Sequence, residues 1–403
     1  MTSLPDTDVL IVGAGPTGLT AAIGLTQRGA RVRILDAAPH PVRESRAALV
    51  HAATIEIMER LGIAEDAIRL GRRIDAVSIS AGTRVLARIP FGLLDGPYPF
   101  GLGLPQDVTE RLLIARLKAL GITVERGWQV EHVEQRADGC HITASGDAGS
   151  CAIRSRYLVG ADGRDSIVRA EAGIAFTAQR YREDFLLADL PLEPPPAPPD
   201  QARITLSPDG VTVFGALPSG NYRVIGTASP GHEVPPHPDA ASLDALFAAR
   251  GIPTRAAAEP AWSSRFRIAH GIALQLRAGA IFLCGDAAHV HSPAAGQGMN
   301  TGIADAYDLA ERLADALEGR PAALDGYEPA RLAAAAEVVR LTDRITRLAL
   351  IRPAPLRWMR NAALGRVMAI PAVQRRLVSW ISGIERSPLR RAPLRGPQLG
   401  MPQ

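Results

Sequence analysis

Six residues near the N-terminus, Gly13-Ala14-Gly15-Pro16-Thr17-Gly18, follow a short apolar run and precede helical spacing. That order suits a pyrophosphate held at a helix N-terminus. Gly13 permits a tight turn after a strand, Gly15 lets backbone approach a phosphate, and Gly18 lets helix and strand pack closely. Asp36, about 20 residues on, closes the second strand and can accept from a ribose hydroxyl. An adenine dinucleotide is implied, with NAD and FAD both open. A second stretch runs from Ile281 through Gly285-Asp286 and Pro293 to Gly296-Gln297-Gly298-Met299-Asn300. There an apolar strand stops at Gly-Asp and a Pro-bearing, Gly-rich loop leads to a helix expected from about Gly302. A carboxylate and several backbone N–H groups thus meet at one helix start, an apparatus for a polar, partly anionic cofactor. Between the two lies Gly160-Ala161-Asp162-Gly163-Arg164-Asp165-Ser166, with Arg169 after it. By itself this reads as an Asp-Gly turn with Ser166 as a helix N-cap.

The elements that must position these groups are legible in outline. Asp8–Val12, Thr17–Arg28 and Arg31–Leu35 form a βαβ start. Helices are expected over about 54–61, ended by Gly62, and over about 108–120, ended by Gly121. Strands are expected near 123–125, 129–136, 141–145 and 152–158. From about Phe176 to Arg267 alternating pieces (202–206, 211–217, 222–227) are separated by Pro/Gly-rich connections, which predicts a β-rich insertion. Ala76 to Phe100 has similar alternation and can join the same sheet. After Gly302 the chain is Ala/Leu/Arg-rich and helical to about Ile384.

Composition removes several classes. With 47% hydrophobic and 21% charged residues over 403 positions, the chain can bury a large core. The net charge of +4 comes almost entirely from arginine, Lys118 being the only lysine, and the arginines are dispersed among acids, which argues against nucleic acid. No apolar run reaches a membrane-spanning length and the N-terminus lacks a secretory pattern, so no stable membrane insertion and a cytoplasmic location are expected. Cys140, Cys151 and Cys284 are widely spaced, which excludes a disulfide framework and a zinc site; no metal is expected.

The three motifs, in this order and with the β-rich stretch between the second and third, resemble the single-component FAD-dependent aromatic hydroxylases of the p-hydroxybenzoate hydroxylase superfamily, the class A flavoprotein monooxygenases. The nearest branch is that of the phenol and aromatic-polyketide hydroxylases. The resemblance spans about Asp8 to Ile384 and includes Ser45-Arg46-Ala47, Thr54-Ile55-Glu56, Leu104-Pro105-Gln106 and Trp262-Ser263-Ser264-Arg265-Phe266. It implies an α/β (α+β overall) fold: a discontinuous Rossmann-type FAD-binding domain (1–75, 101–175, 266–345), a β-sheet substrate domain (76–100, 176–265), C-terminal helices (346–385) and a flexible tail (386–403).

The resemblance further implies site roles. Gly13, Gly15, Pro16, Thr17 and Gly18 would hold the FAD pyrophosphate, Asp36 the adenosine ribose, and Arg46 and Gln106 the diphosphate and ribityl. The Val130 backbone would meet adenine, and Asp162 would serve both FAD and the nicotinamide donor. Asp286 would hold the ribityl chain and Pro293 would sit where oxygen reacts. Gly296, Gln297, Gly298, Met299 and Asn300 would cap the isoalloxazine. NADPH or NADH would reduce FAD, and O2 would give a flavin C4a-hydroperoxide that hydroxylates, or inserts oxygen into, an aromatic or polyketide-like substrate. His51 and His270 are the candidate bases for deprotonating a phenol; His289 and His291 suit hydrogen-bonding or capping roles. Three departures stand out: Asp36 where Glu is usual, Ala53 where many relatives carry Arg, and an end near Gln403 without a thioredoxin-like domain. A monomer or homodimer is expected. The rival readings are a non-catalytic flavin-binding protein in a biosynthetic complex, with the Arg-rich helices after Asp343 as docking surface, and a flavin halogenase or oxidase. A halogenase would want a tunnel lysine and a Trp-x-Trp-x-Ile-Pro segment, and neither is present.

Overall fold

The computed structural model describes residues 6–41, 47–147, 149–228, 234–292 and 294–390. Its first strand, Thr7–Val12, buries every residue except Asp8. A strand paired on both edges and covered on both faces demands such a run. It pairs in parallel with Val32–Asp36, Val9 opposite Val32, and with the end of Gly149–Gly160, Leu10 opposite Leu158. Ile281–Leu283 and Glu125–Arg126 extend this sheet in parallel on its two sides. The first half of Gly149–Gly160 instead runs antiparallel to Gly139–Gly146, which pairs in turn with Gln129–Arg136.

Two helices cover one another beside this sheet. Pro16–Thr26 begins with proline at its first position, where no N–H is needed, and packs against Gln297–Leu317. A Cβ at Gly24 would lie 2.9 Å from the Ala310 Cβ, so the bare glycine lets the two helices approach closely. The largest apolar core surrounds these elements.

The second sheet has eight strands, in the order His289–Val290, Trp262–Ala273, Phe176–Leu190, Tyr222–Thr227, Gly210–Ala216, Gln201–Ser207, Ala76–Ala81 and Arg84–Pro90. All neighbours are antiparallel except Gln201–Ser207 with Ala76–Ala81, which are parallel. The pair Phe176–Leu190 and Trp262–Ala273 runs the length of the sheet, and its near end meets His289–Val290, just after the cofactor turn.

Several expectations need correction. The helix expected from Gly302 starts at Gln297, so Gly298 to Asn300 form its first turn rather than a loop. The chain reverses just before it, through Ala295 and Gly296, both at φ 61. Within the β-rich stretch, Ala240–Ala249 is a helix capped by Asp239, which accepts from Ser242 N at 2.9 Å. Its Phe247 packs on Phe214 of the sheet, ring centroids 5.7 Å apart. The strand Trp262–Ala273 and the helix Tyr327–Ala349 span residues 265/266 and 345/346, so one element serves both sides of each of these expected divisions without deciding them. Nor is the start of the tail loose: Arg386 is largely buried, and 384–390 form two short turns; 391–403 lie outside the described residues.

Candidate active site

The glycine loop is built by contacts that exclude side chains at two positions and leave room at a third. Gly13 has φ +101, and a Cβ there would lie 2.3 Å from the Ala161 carbonyl oxygen. A Cβ at Gly18 would lie 1.9 Å from the Gly13 carbonyl oxygen. At Gly15 nothing lies within 4 Å of the same position. Gly15 is the N-cap of Pro16–Thr26 and has no side chain to satisfy the first N–H groups, and no acid lies in the first turn. The positive end of the helix dipole therefore faces open space, a cradle that fits a pyrophosphate.

Asp36 is tied to this loop. Its carboxylate accepts from Ala14 N at 2.6 Å and from Ala38 N at 2.8 Å, and Arg126 Nη1 stands 3.9 Å away. An ionised carboxylate retains lone pairs beyond these two, so Asp36 can still accept from a ribose. Trp128 N donates to the Asp36 carbonyl, placing Val130 two residues further along the edge strand Gln129–Arg136, buried and paired with Ala144. Gln106 starts the helix Gln106–Ala119; its amide donates to Glu110 at 2.9 Å, and its carbonyl oxygen is 3.4 Å from Ala47 N. Burial raises the Glu110 carboxyl above its ordinary value, against the pull of Gln106 and Arg126. Arg46 and Pro293 lie outside the described residues.

Thr17 joins the N-terminal loop to the C-terminal motif. Cβ atoms placed at Gly285 and Gly302 would approach its Oγ1 to 2.6 Å and 2.4 Å. Only glycines let helix Pro16–Thr26, the Gly285–Ala287 turn and helix Gln297–Leu317 meet at this point. Asp286 is exposed on that turn. The Asp162 motif packs on the same loop, since a Cβ at Gly13 would also lie 2.9 Å from the Asp162 Cα. Asp162 accepts from Ser166 Oγ at 2.6 Å and from Val168 N at 3.1 Å, while Ser166 caps the short helix Ile167–Glu171 through Arg169 N. Burial raises the Asp162 carboxyl despite these bonds. Arg169 then bonds the carbonyls of Ala287 and Arg164, clamping the second motif to the third.

Helix Gln297–Leu317 also starts on glycine, with no acid in its first turn. The side chains of Gln297 and Asn300 turn away from the helix start to brace it. Asn300 accepts from His51 N at 2.8 Å and donates to the carbonyls of Leu49 and Gly296. Gln297 donates to the Ile381 carbonyl at 2.9 Å and accepts from Arg386 at 3.2 Å. Met299 is half-buried against the main core. The first-turn backbone N–H groups are thereby left for a ligand.

His51 is held by a backbone partner. Its Nε2 lies 2.8 Å from the Ala295 carbonyl, which fixes Nε2 as the protonated nitrogen, and burial lowers the imidazolium to about 4. It is a neutral donor that holds the left-handed Ala295 in place ahead of the helix. His270 lies in the strand Trp262–Ala273 opposite Gln179. His291 is likewise buried and lowered to about 4, with Nδ1 donating to the Ser292 carbonyl at 3.0 Å.

Both depressed histidines bear on stability. The unfolded chain binds a proton near 6.5 that the folded chain refuses until about 4, so stability falls as pH drops through that interval. The effect is up to about 3 kcal/mol per histidine. Denaturant unfolding of His51→Gln is expected to show a shallower decline than the parent between about pH 7 and pH 5. Parallel declines would place His51 outside this linkage.

The sequence reading missed a buried charge cluster directly behind the site. Asp305 accepts from His289 at 2.6 Å, from Arg331 Nε at 2.5 Å and from Gly285 N at 3.2 Å. Asp305 is fully buried and Arg331 only 2% exposed. Burial pushes the Asp305 carboxyl up, but Arg331 and His289 outweigh it and hold it below the usual range. His289 thus serves the hydrogen-bonding role expected of it. The cluster's only sequence signal is a charge on each of two apolar helix faces, 26 positions apart.

Comparison with known proteins agrees with this geometry. Residues 6–342 match a family described as FAD binding domain. A 6-methylpretetramide 4-monooxygenase of Streptomyces rimosus is 35% identical over 375 residues, covering 92% of this chain and 67% of that protein. The structure of an anhydrotetracycline hydroxylase from the same species superposes with TM-score 0.79 at 30% identity, over 94% of this chain and 76% of that one. A p-nitrophenol 4-monooxygenase from Pseudomonas putida superposes with TM-score 0.86, over 97% of this chain and all of that one; at 23% identity it speaks to the fold alone.

Proposed function

Because the chain belongs to the FAD-binding family of p-hydroxybenzoate-hydroxylase-type monooxygenases, we propose that this FAD-dependent monooxygenase uses NAD(P)H and O2 to oxygenate a polycyclic, polyketide-like aromatic. The observation that carries the reading is the convergence at Thr17. An open pyrophosphate cradle, an exposed carboxylate turn and an uncapped helix start are brought together there by glycines that admit no side chain. When bound, FAD supplies the redox chemistry, taking reducing equivalents from the nicotinamide and activating dioxygen.

The chain's own residues bind, orient and shield. The N–H groups of Gly15, Thr17 and Gly18 would take the pyrophosphate and Asp36 the ribose, with Gln106, and Arg46 by the family resemblance, serving the diphosphate. The Val130 backbone meets adenine. Asp162 shapes the turn that closes on Gly13, and Asp286 accepts from the ribityl hydroxyls. Pro293 would belong to the oxygen chemistry, as the family resemblance implies, and the N–H groups of Gly296 to Asn300 would hold the electron-rich part of the flavin ring. We assign the cofactor to the parallel sheet and the substrate to the eight-stranded sheet, whose long strands reach the cofactor turn. No residue is assigned as a base for a phenol, because the His51 ring is fully buried and its Nε2 is committed to the Ala295 carbonyl. The tetracycline-precursor names of the relatives favour a fused-ring substrate over a simple phenol.

Purified protein loaded with FAD is expected to oxidise NADPH or NADH faster when a fused-ring phenol is added, and to place isotopically labelled oxygen from O2 in the product. Donor oxidation yielding only hydrogen peroxide across a panel of mono- and polycyclic phenols would overturn the oxygenase reading. Label entering monocyclic phenols alone would overturn the substrate class.

A further inference from the structure

The last part of the chain presents a surface the oxygenase reading does not use. Between Asp343 and Glu385 the sequence has eight arginines and no acidic residue. Within that stretch the helix Ala354–Val367 buries none of its residues. Leu356 is 49% exposed, Met359 58% and Val367 42%; with Ala363 they fall at helix spacing i, i+3, i+7 and i+11. An apolar stripe of this kind ordinarily faces a core, and here it faces outward. Trp358, 73% exposed, projects from another side of the same helix. The helix is fixed to the molecule, because Gln374 of the following helix Pro371–Ile381 donates to the Arg88 carbonyl on the outermost strand of the second sheet.

We propose that this face docks on an anionic lipid bilayer surface, lying in the interface with Leu356, Met359 and Val367 inserted, Trp358 at the membrane–water boundary and the exposed arginines on the headgroup phosphates. Charge selects the occupant. A second copy would set the same arginine-rich, acid-free stretch against itself, and residues 391–403 of the chain add two more arginines and no acid, so neither complements the face. Guanidinium groups pair bidentately with phosphate, and tryptophan favours the membrane–water interface. A protruding helix with none of its residues buried offers a partner protein a ridge and no groove, whereas a fluid bilayer needs no complementary shape. Contact would be peripheral, since no helix among the described residues is long and apolar enough to cross a membrane.

The test uses the full chain with FAD and vesicles of phosphatidylcholine with or without about a third phosphatidylglycerol, read by co-sedimentation and Trp fluorescence. Expected are binding to the anionic vesicles alone, loss of binding at high salt, and roughly 30-fold weaker partition for Arg375→Glu with Arg376→Glu. The triple variant Leu356→Ser, Met359→Ser, Val367→Ser should bind no better, with its circular dichroism and FAD content unchanged. Equal binding to both vesicle types, or to neither, overturns the proposal. So does a stable dimer that the triple variant dissociates, or an acidic protein partner that the same face binds while vesicles do not.

Discussion

Asp305→Ala is expected to destabilise the protein by about 3–5 kcal/mol, because it strands a buried guanidinium and a buried imidazole without their common acceptor. Arg331 is 2% exposed and His289 1%, so neither can turn to water for compensation. The loss should also reach the cofactor, since Gly285 N bonds the same carboxylate and Gly285 presents Asp286. Denaturant unfolding of the FAD-free protein checks the first effect, and FAD titration the second. Adding Arg331→Met to Asp305→Ala should recover at least half of the lost stability, because the orphaned charge is then removed as well. A double variant no more stable than the single would show that the cost lies in packing, not in the uncompensated charge.

The second large effect separates folding from cofactor binding within one loop. Gly15→Val places its side chain where nothing of the protein stands within 4 Å, at an ordinary φ of −74. The fold should therefore tolerate it to within about 1 kcal/mol. The side chain would fill the space assigned to the pyrophosphate, so FAD affinity should fall at least about 100-fold. Gly18→Ala should do the opposite in order of cause, since its Cβ would meet the Gly13 carbonyl at 1.9 Å and damage the turn itself. Thermal unfolding and FAD titration on the two variants distinguish these outcomes. Unaltered FAD binding by a well-folded Gly15→Val would remove the pyrophosphate from this loop.

The parts of the fold that the sequence carried plainly are those with a local physical signature. Thr7–Val12 is an unbroken apolar run because it is central in a parallel sheet, and Gly62 ends its helix at φ 79 where a side chain would be strained. Alternation marked the strand 210–216, where buried and half-buried positions alternate, while 201–207 and 222–227 are buried at consecutive positions. What stayed hidden depends on partners far along the chain. The helix 297–317 starts early because Ala295 adopts a left-handed conformation held by His51, some 244 positions away. His51 is a candidate base in the sequence because histidine titrates near neutrality, and only the folded chain shows the complete burial that lowers it to about 4. Arg386 looked like the start of a loose tail, yet it packs over Trp380, 4.5 Å from the ring centroid, and bonds Glu337 and Gln297. Charge and proline content cannot distinguish a solvated arginine from one that a distant glutamate has claimed.

The contact of Thr17 with Gly285 and Gly302 also constrains how the protein is made. Strand Thr7–Val12 waits for Ser155–Gly160, the loop at Thr17 waits for the turn at Gly285, and Gln297 is braced by Arg386. During vectorial synthesis the cofactor cleft cannot close until Arg386 has emerged. The N-terminal motif, emerging first, spends longest unpaired. FAD then acts as a ligand that secures an assembled cleft rather than a template for the N-terminal motif alone.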